Sequence, residues 1–72
     1  MDVFDHMSMQ EMVNLLQELP NGYRSVFNLY VIEGYTHKEI GEKLNISPNT
    51  SKTQLMKAKK MMQGKVNVLV AI

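Results

Sequence analysis

The fold of this chain is decided by residues 36–62, which read THKEIGEKLNISPNTSKTQLMKAKKMM. Thr36 and Glu39 have the spacing of a capping box, in which each side chain satisfies a backbone amide at the start of a helix. Ile40 and Leu44 follow at an i, i+4 spacing and give that helix one apolar stripe. The stretch therefore predicts a short amphipathic helix that begins just after Thr36.

A second helix start follows within a few residues. Asn45 is expected to end the first helix, because asparagine adopts the left-handed conformation more readily than most residues. Ile46 is predicted to fill the core after the turn, and Ser47 and Pro48 suit the N-cap and the first position of the next helix. Gly41 lowers helix propensity by about 1 kcal/mol relative to alanine, which is tolerable if another backbone passes close by. Together these features predict a helix-turn-helix.

The second helix of the predicted helix-turn-helix, which begins near Pro48, divides into two faces when its residues are placed at intervals of about 100°. The small or apolar members that share one narrow arc are predicted to pack, namely Ser51, Leu55, Ala58 and Met62. The remaining arc is polar and basic and holds no acid, with Asn49, Lys52, Thr53, Met56, Lys57, Lys59, Lys60 and Gln63. A solvated surface is the alternative interpretation, but solvated helices usually mix charge signs to form i, i+4 pairs. The single sign therefore favours a nucleic-acid contact.

A first helix is predicted over Ser8–Leu19. Ser8 and Glu11 have capping-box spacing, and Pro20 ends this helix and starts the next one. The apolar stripe of the first helix is expected to comprise Met9, Met12, Val13, Leu16 and Leu19.

The second helix of the chain is predicted to close at Gly34. Its apolar stripe is expected to be Tyr23, Val26, Phe27, Tyr30 and Val31. Leu29 and Ile32 lie off that stripe and need cover from other helices or from a partner. The fold class is therefore predicted to be all-α: a four-helix domain with a C-terminal helix-turn-helix, of the winged-helix-like kind of DNA-binding domain.

A single domain over residues 8–63 is predicted, between a flexible N-terminus (1–7) and a C-terminal tail (64–72). Seventy-two residues allow one small domain with a core of marginal size. Gly64 is expected to end the last helix. Three interpretations are open for the apolar, β-branched end of the chain: a disordered tail, a strand-like arm that forms a homodimer with a second copy, or the remnant of a truncation.

Charge is distributed unevenly along the chain, although its formal net value is only +1. Residues 1–42 hold all seven acids and two bases, whereas residues 43–72 hold six lysines and no acid. The basic half has the charge expected of a nucleic-acid contact, and the acidic half faces solvent or some other partner.

The composition also bears on location and chemistry. The absence of cysteine excludes a disulfide and suits a reducing compartment, and no signal peptide or transmembrane segment is recognisable. We therefore expect a cytoplasmic protein that is not an enzyme, uses no cofactor and makes no membrane contact. His6 and His37 are far apart and lack companion ligands, so no metal role is expected for either.

A linked set of short motifs covers most of the chain: Leu19-Pro20, Tyr23-Arg24, Val26-Phe27, Leu29-Tyr30, Glu33-Gly34-Tyr35, His37-Lys38-Glu39-Ile40, Leu44, Ile46-Ser47, Thr50-Ser51-Lys52, Gln54-Leu55 and Ala58-Lys59. This set resembles region 4 of bacterial extracytoplasmic-function (ECF) sigma factors, in particular those of Bacteroides-type bacteria. The resemblance implies that the second helix of the helix-turn-helix binds the −35 promoter element. It also implies that the first two helices dock on the flap of core RNA polymerase or are masked by an anti-sigma factor.

The resemblance further implies which residues contact promoter DNA. The positions that reach base edges in the major groove are Lys52, Thr53, Met56 and Lys57. The positions that reach phosphates are Thr36, Lys38, Asn49, Thr50, Lys59 and Lys60, aided by amides at the two helix starts. The base contacts are chemically reasonable, because lysine donates to guanine N7 and O6 and the carbon atoms of methionine and threonine suit a thymine methyl group.

The chain departs from the family pattern in several places. Asn49 stands where glycine is common, Ser51 stands where valine is common, and the recognition face has lysine where arginine is frequent. Lysine lacks the bidentate fork of arginine, so weaker base discrimination is expected. The sequence has no room for a region 2, which sigma factors need to melt the −10 element. An excised domain and a stand-alone region-4-like protein are therefore both expected alternatives.

Three functions of different classes stay open at this point. The first is promoter DNA binding as a sigma region 4. The second is a protein-interaction module that acts as a negative effector by competing for polymerase or an anti-sigma factor. The third is a dimeric DNA-binding domain of the response-regulator type, which shares the four-helix layout and usually dimerises through its last helix.

Overall fold

The structure, a computed structural model, describes residues 7–71, with side chains described as far as Val66. Its helices are α1 (Met9–Leu16), α2 (Asn21–Phe27), α3 (His37–Leu44) and α4 (Pro48–Ala71), and a π-helical segment, Asn28–Ile32, continues α2. The described residues contain no strand. The predicted all-α fold of four helices with a C-terminal helix-turn-helix is confirmed. The predicted flexible N-terminus falls almost wholly outside the described residues.

Two capping boxes form where the sequence predicts them. The Ser8 hydroxyl accepts the Glu11 N–H at 3.1 Å, and the Glu11 carboxylate accepts the Ser8 N–H at 3.1 Å. The same exchange joins Thr36 and Glu39 at 3.1 and 3.0 Å. Both helix starts are therefore set by residues within three positions of one another, which is why the sequence reveals them.

The turn between α3 and α4 is built from backbone contacts. Asn45 adopts the predicted left-handed conformation, with φ of 57°, and the Ile46 N–H donates to the Gly41 carbonyl at 3.0 Å. A Cβ atom at Gly41 would lie 2.6 Å from the Ile46 carbonyl oxygen, so the predicted close backbone approach is confirmed. Ser47 caps α4 by accepting the Thr50 N–H at 3.0 Å.

The core lies between α4 and the helices before it, since both α2 and α3 pack against α4. The packing arc predicted for α4 is confirmed, because all four of its members are buried: Ser51, Leu55, Ala58 and Met62. The other buried apolar side chains are Leu15, Leu16, Leu19, Val26, Phe27, Ile40 and Val66.

The π-helical segment changes which residues of the second helix face the core. The Glu33 N–H donates to the Asn28 carbonyl, five residues earlier, at 3.0 Å, so the face shifts by one position relative to an α-helix. Ile32 therefore packs against the core, while Tyr30 and Val31 are each 37% exposed. The predicted core positions of Tyr30 and Val31 are wrong for this reason.

The first helix is shorter than predicted, because α1 ends at Leu16. Leu19 still reaches the core from the turn that follows, and Leu15, which the predicted stripe omitted, is buried as well. Met9, which the stripe included, is 58% exposed. A stripe drawn through the whole segment therefore misplaces residues at both ends of a helix of only eight residues.

The last helix does not end at Gly64, so that prediction is wrong. Helix α4 continues across Gly64 to Ala71, and Val66, only 6% exposed, packs in the core beyond the predicted boundary at Gln63. The Lys65 ammonium also lies 3.2 Å from the Glu18 carboxylate. These contacts offset the helix cost of glycine, which is about 1 kcal/mol. Residues 65–71 are thus helical rather than strand-like, and homodimer formation through them stays a prediction.

Among residues 7–71, no helix combines the length and the apolar character that crossing a membrane requires.

Candidate nucleic-acid interface

The four residues expected to reach base edges share one exposed stripe of α4: Lys52, Thr53, Met56 and Lys57. Their i, i+1, i+4, i+5 spacing spans about 7.5 Å along the helix axis at 1.5 Å per residue. That length fits within a major groove about 12 Å wide. Burial of Ser51 and Leu55 on the opposite arc fixes the orientation of this stripe. The four side chains therefore lie together on the face of α4 that is open to a partner.

Met56 is an unusual member of this face. It is 58% exposed, although it lies one position from the buried Leu55 and between lysines. A large apolar side chain that projects into solvent from a basic helix face has no role in the core. It is, however, suited to meet an apolar group such as a thymine methyl.

The residues expected to contact phosphates lie around the two helix starts and further along α4. All are exposed except Lys59, which is half-buried: Thr36, Lys38, Asn49, Thr50, Lys59 and Lys60. The Thr36 hydroxyl already accepts the Glu39 N–H, and the Thr50 hydroxyl lies 2.9 Å from the Ser47 hydroxyl oxygen. These two hydroxyls therefore organise the helix starts, and the starts themselves present amides to an anion.

The electrostatics of α4 are one-sided. The helix contains five lysines and no acid. Within the described part of the chain, the ion pair that the structure shows joins Lys65 to Glu18, at the far end from the exposed stripe. Lys52 and Lys57 thus present their charges without a carboxylate partner in that part, as a phosphate-binding face requires.

The helix-turn-helix is joined by a side-chain contact that the sequence analysis missed. His37, at the start of α3, places its Nδ1 2.8 Å from the Ser51 hydroxyl oxygen of α4. The flat face of the same imidazole stacks on the Tyr30 ring, with ring centroids 4.4 Å apart and ring planes 16° from parallel. One histidine therefore ties α3 both to α4 and to the π-helical segment.

One sequence signal could have suggested this contact. Ser51 is a polar residue on the arc of α4 that packs, and it is 0% exposed. A buried hydroxyl needs a hydrogen-bond partner, so a polar residue had to face it. His37, at the start of the neighbouring helix α3, is the polar residue that meets it.

The surroundings of His37 disfavour its charged form. Burial is the main cause of its lowered pKa, and the nearby positive charge of Lys52 is the second cause. The imidazole is therefore held toward its neutral state in the free chain. His6, the other histidine, lies outside the described residues. Within those residues no group of three metal-ligating side chains comes together.

The fold and this face together define a helix-turn-helix DNA-binding domain, with α4 as the helix that is presented. The family model for sigma-70, region 4 matches residues 3–62. The chain therefore belongs to the sigma-70 region 4 family, and its role is that of a DNA-binding module of transcription. Neither the comparison with curated proteins nor that with solved structures gave a match.

Proposed function

We propose that this domain binds a −35-type promoter element as region 4 of an ECF-type sigma factor, with α4 in the major groove. The observation that carries the proposal is the exposed stripe of Lys52, Thr53, Met56 and Lys57, opposite a buried arc on the same helix. A face of this kind is basic, is free of acids and is fixed in orientation by the core. The function is one of binding in the cytoplasm, without catalysis or a cofactor.

Base recognition in this proposal depends on two kinds of contact. Lys52 and Lys57 donate to guanine N7 and O6, whereas Thr53 and Met56 meet thymine methyl groups. A lysine makes a single flexible contact where arginine would make two parallel hydrogen bonds. We therefore expect modest base discrimination and a large contribution from phosphate contacts, which fix the register of the helix in the groove.

Docking on core RNA polymerase is the second part of the proposal. All seven acids of the chain lie in residues 1–42, ahead of α4, whereas α4 carries five of the seven lysines, so the two halves suit partners of opposite charge. DNA binding by α4 and the start of α3 leaves α1 and α2 accessible to the polymerase flap. Assignment to ECF-type factors, and to those of Bacteroides-type bacteria, rests on the motif resemblance.

The proposal predicts that charge reversal on the stripe removes DNA binding. Lys52→Glu with Lys57→Glu should weaken binding to a −35-type duplex by roughly 100-fold or more, because two phosphate- or base-binding cations become repulsive. The matched control is Arg24→Glu with Lys43→Glu, which makes the same change in net charge away from the stripe and leaves the Lys65–Glu18 ion pair in place. Fluorescence anisotropy at one fixed salt concentration measures both affinities. Equal losses in the two double variants would contradict the proposal.

A second candidate function is favoured by the exposed apolar residues of the first half. Met9 and Val31 are exposed on α1 and on the π-helical segment, outside α4. A stand-alone module that competes for polymerase or an anti-sigma factor, and so acts as a negative effector, would use such residues. In that case Val31→Asp would abolish capture of the isolated polymerase flap, and the stripe variant would leave the capture unchanged.

A further inference from the structure

The His37 side chain is the point at which three helical segments of the domain meet. Its Nδ1 is hydrogen-bonded to the buried Ser51 hydroxyl of α4, and its ring stacks on Tyr30 of the π-helical segment. Along the chain it lies between Thr36 and Lys38, both of which are exposed at the start of α3. His37 is thus a half-buried titratable group inside the candidate DNA interface.

We propose that His37 is a positioning residue that couples DNA binding to proton uptake: phosphates that approach the starts of α3 and α4 convert its imidazole to the cation. This inference rests on the proposed DNA-binding function and adds a proton to the binding equilibrium. The imidazolium would donate from Nδ1 to the Ser51 oxygen, so the contact between α3 and α4 persists in the charged state.

Burial first, and then the positive charge of Lys52, lower the pKa of His37 and explain why the free chain resists its protonation. From α4, Lys52 brings a positive charge toward the ring, and from the π-helical segment Tyr30 contributes an uncharged ring. On α3 itself, Lys38 is the exposed next residue in the chain, and the Glu39 carboxylate is engaged by the Thr36 N–H at 3.0 Å. The start of a helix also disfavours a cation. An anion that binds nearby would offset these effects and favour the imidazolium.

Bound DNA supplies that anion. Phosphates that contact Lys52 cancel the repulsion that this lysine exerts on the ring, and phosphates near the start of α3 add an attraction of their own. The pKa of His37, lowered in the free chain, is then raised in the complex. By linkage, DNA affinity increases as the pH falls through the window between the bound and the free pKa of His37, and it is constant outside that window.

Ser51 determines how this charge reaches the DNA-binding stripe. Ser51 is adjacent to Lys52 and is 0% exposed. The hydrogen bond between its hydroxyl and His37 therefore links the ring directly to the first turns of α4. We expect Ser51→Ala to leave α4 folded, since alanine favours helices. The same substitution removes the hydrogen bond that orients the ring of His37.

The test measures the affinity of the full chain for a duplex of about 20 base pairs at several pH values from about pH 8 to about pH 5.5, where histidine titrates. The wild-type chain should bind roughly three- to tenfold more tightly at the acidic end. In His37→Asn, whose side-chain amide retains a partner for Ser51 but does not titrate, this gain should be lost. His6→Gln is the matched control and should retain the gain.

The imidazole signals of His37 in the NMR spectrum provide a second measurement that needs no variant. Its pKa should be higher in the DNA complex than in the free chain. An unchanged pKa, or a pH dependence that survives in His37→Asn, would overturn the proton-coupled role and leave the proposed DNA-binding function standing. Absence of binding to any duplex at any pH would overturn the proposed function itself, and this inference with it.

Discussion

At the scale of single residues, the helix-turn-helix depends on close contacts between α3 and the turn before α4, where a larger side chain would not fit. Gly41 lies against the carbonyl oxygen of Ile46, and Asn45 turns the chain in the left-handed conformation. Together they bring the start of α4 directly behind α3. His37 and Ser51 then join the two helices through side chains. A few small or polar residues therefore help to set the orientation of the DNA-binding stripe, in addition to the apolar side chains of the core.

Gly41→Ala tests this close approach. The added Cβ would lie 2.6 Å from a backbone oxygen, which cannot move without shifting the turn, so we expect a loss of about 1–3 kcal/mol in the free energy of unfolding. Gly64→Ala is the matched control, because Gly64 is also helical but a Cβ added there would meet nothing within 4 Å. That change should stabilise the protein by up to about 1 kcal/mol. Urea unfolding of both variants measures the difference, and two stabilising substitutions would refute the crowding at Gly41.

At the scale of helices, local signals were sufficient for the capped starts and for the end of α3 at Asn45, but not for the ends of α1 and α4. Ser8, Thr36 and Ser47 cap their helices through partners three residues away, so the sequence alone revealed them. The π-helical segment could not be predicted, because it depends on packing against the rest of the core. The continuation of α4 past Gly64 involves contacts far along the chain, such as that of Lys65 with Glu18, 47 residues away. The contact between His37 and Ser51, 14 residues apart, was missed for the same reason.

The capping box of α3 gives stability a pH dependence of known sign. Hydrogen bonds from the Thr36 backbone N–H, and then from its side chain, lower the pKa of Glu39. A carboxylate with a lowered pKa stabilises the fold above its unfolded pKa, and this contribution is lost as the pH falls through its folded pKa. In Glu39→Gln the amide still caps the helix but does not titrate.

We therefore expect the stability advantage of the wild-type chain over Glu39→Gln to shrink between about pH 5 and about pH 3. Thermal unfolding of both chains across this range measures the effect. Glu42→Gln, which removes the same charge from α3 beyond its first turn, serves as the control. A wild-type advantage that grows as the pH falls would have the wrong sign for a capping carboxylate.

At the scale of the whole molecule, one long helix joins the DNA-binding motif to the scaffold. The first turns of α4 present the basic stripe, and its later turns reach back to the first half of the chain through Lys65 and Val66. The separation of charge along the chain matches this arrangement, with the acids in residues 1–42 and six of the eight bases after them. Composition revealed that separation, but the structure was needed to show that the end of α4 belongs to the scaffold.

Truncation tests the role of this last part of α4. A chain that ends at Gly64 loses both the Lys65–Glu18 ion pair and the burial of Val66, so we expect it to be less stable by about 1–3 kcal/mol. A chain that ends at Asn67 retains both contacts and should unfold at a higher urea concentration than the shorter chain. Urea unfolding followed by circular dichroism compares the two. Equal midpoints would show that residues after Gly64 contribute nothing to the core.

The central claim is that the exposed stripe of α4 is the surface that binds DNA. The most direct measurement is NMR chemical-shift mapping of the chain during titration with a −35-type duplex. The largest shifts should fall on Lys52, Thr53, Met56 and Lys57 and at the starts of α3 and α4, and they should diminish as salt is added. Shifts that cluster instead around Met9 and Val31, or a spectrum that the duplex leaves unchanged, would contradict the claim.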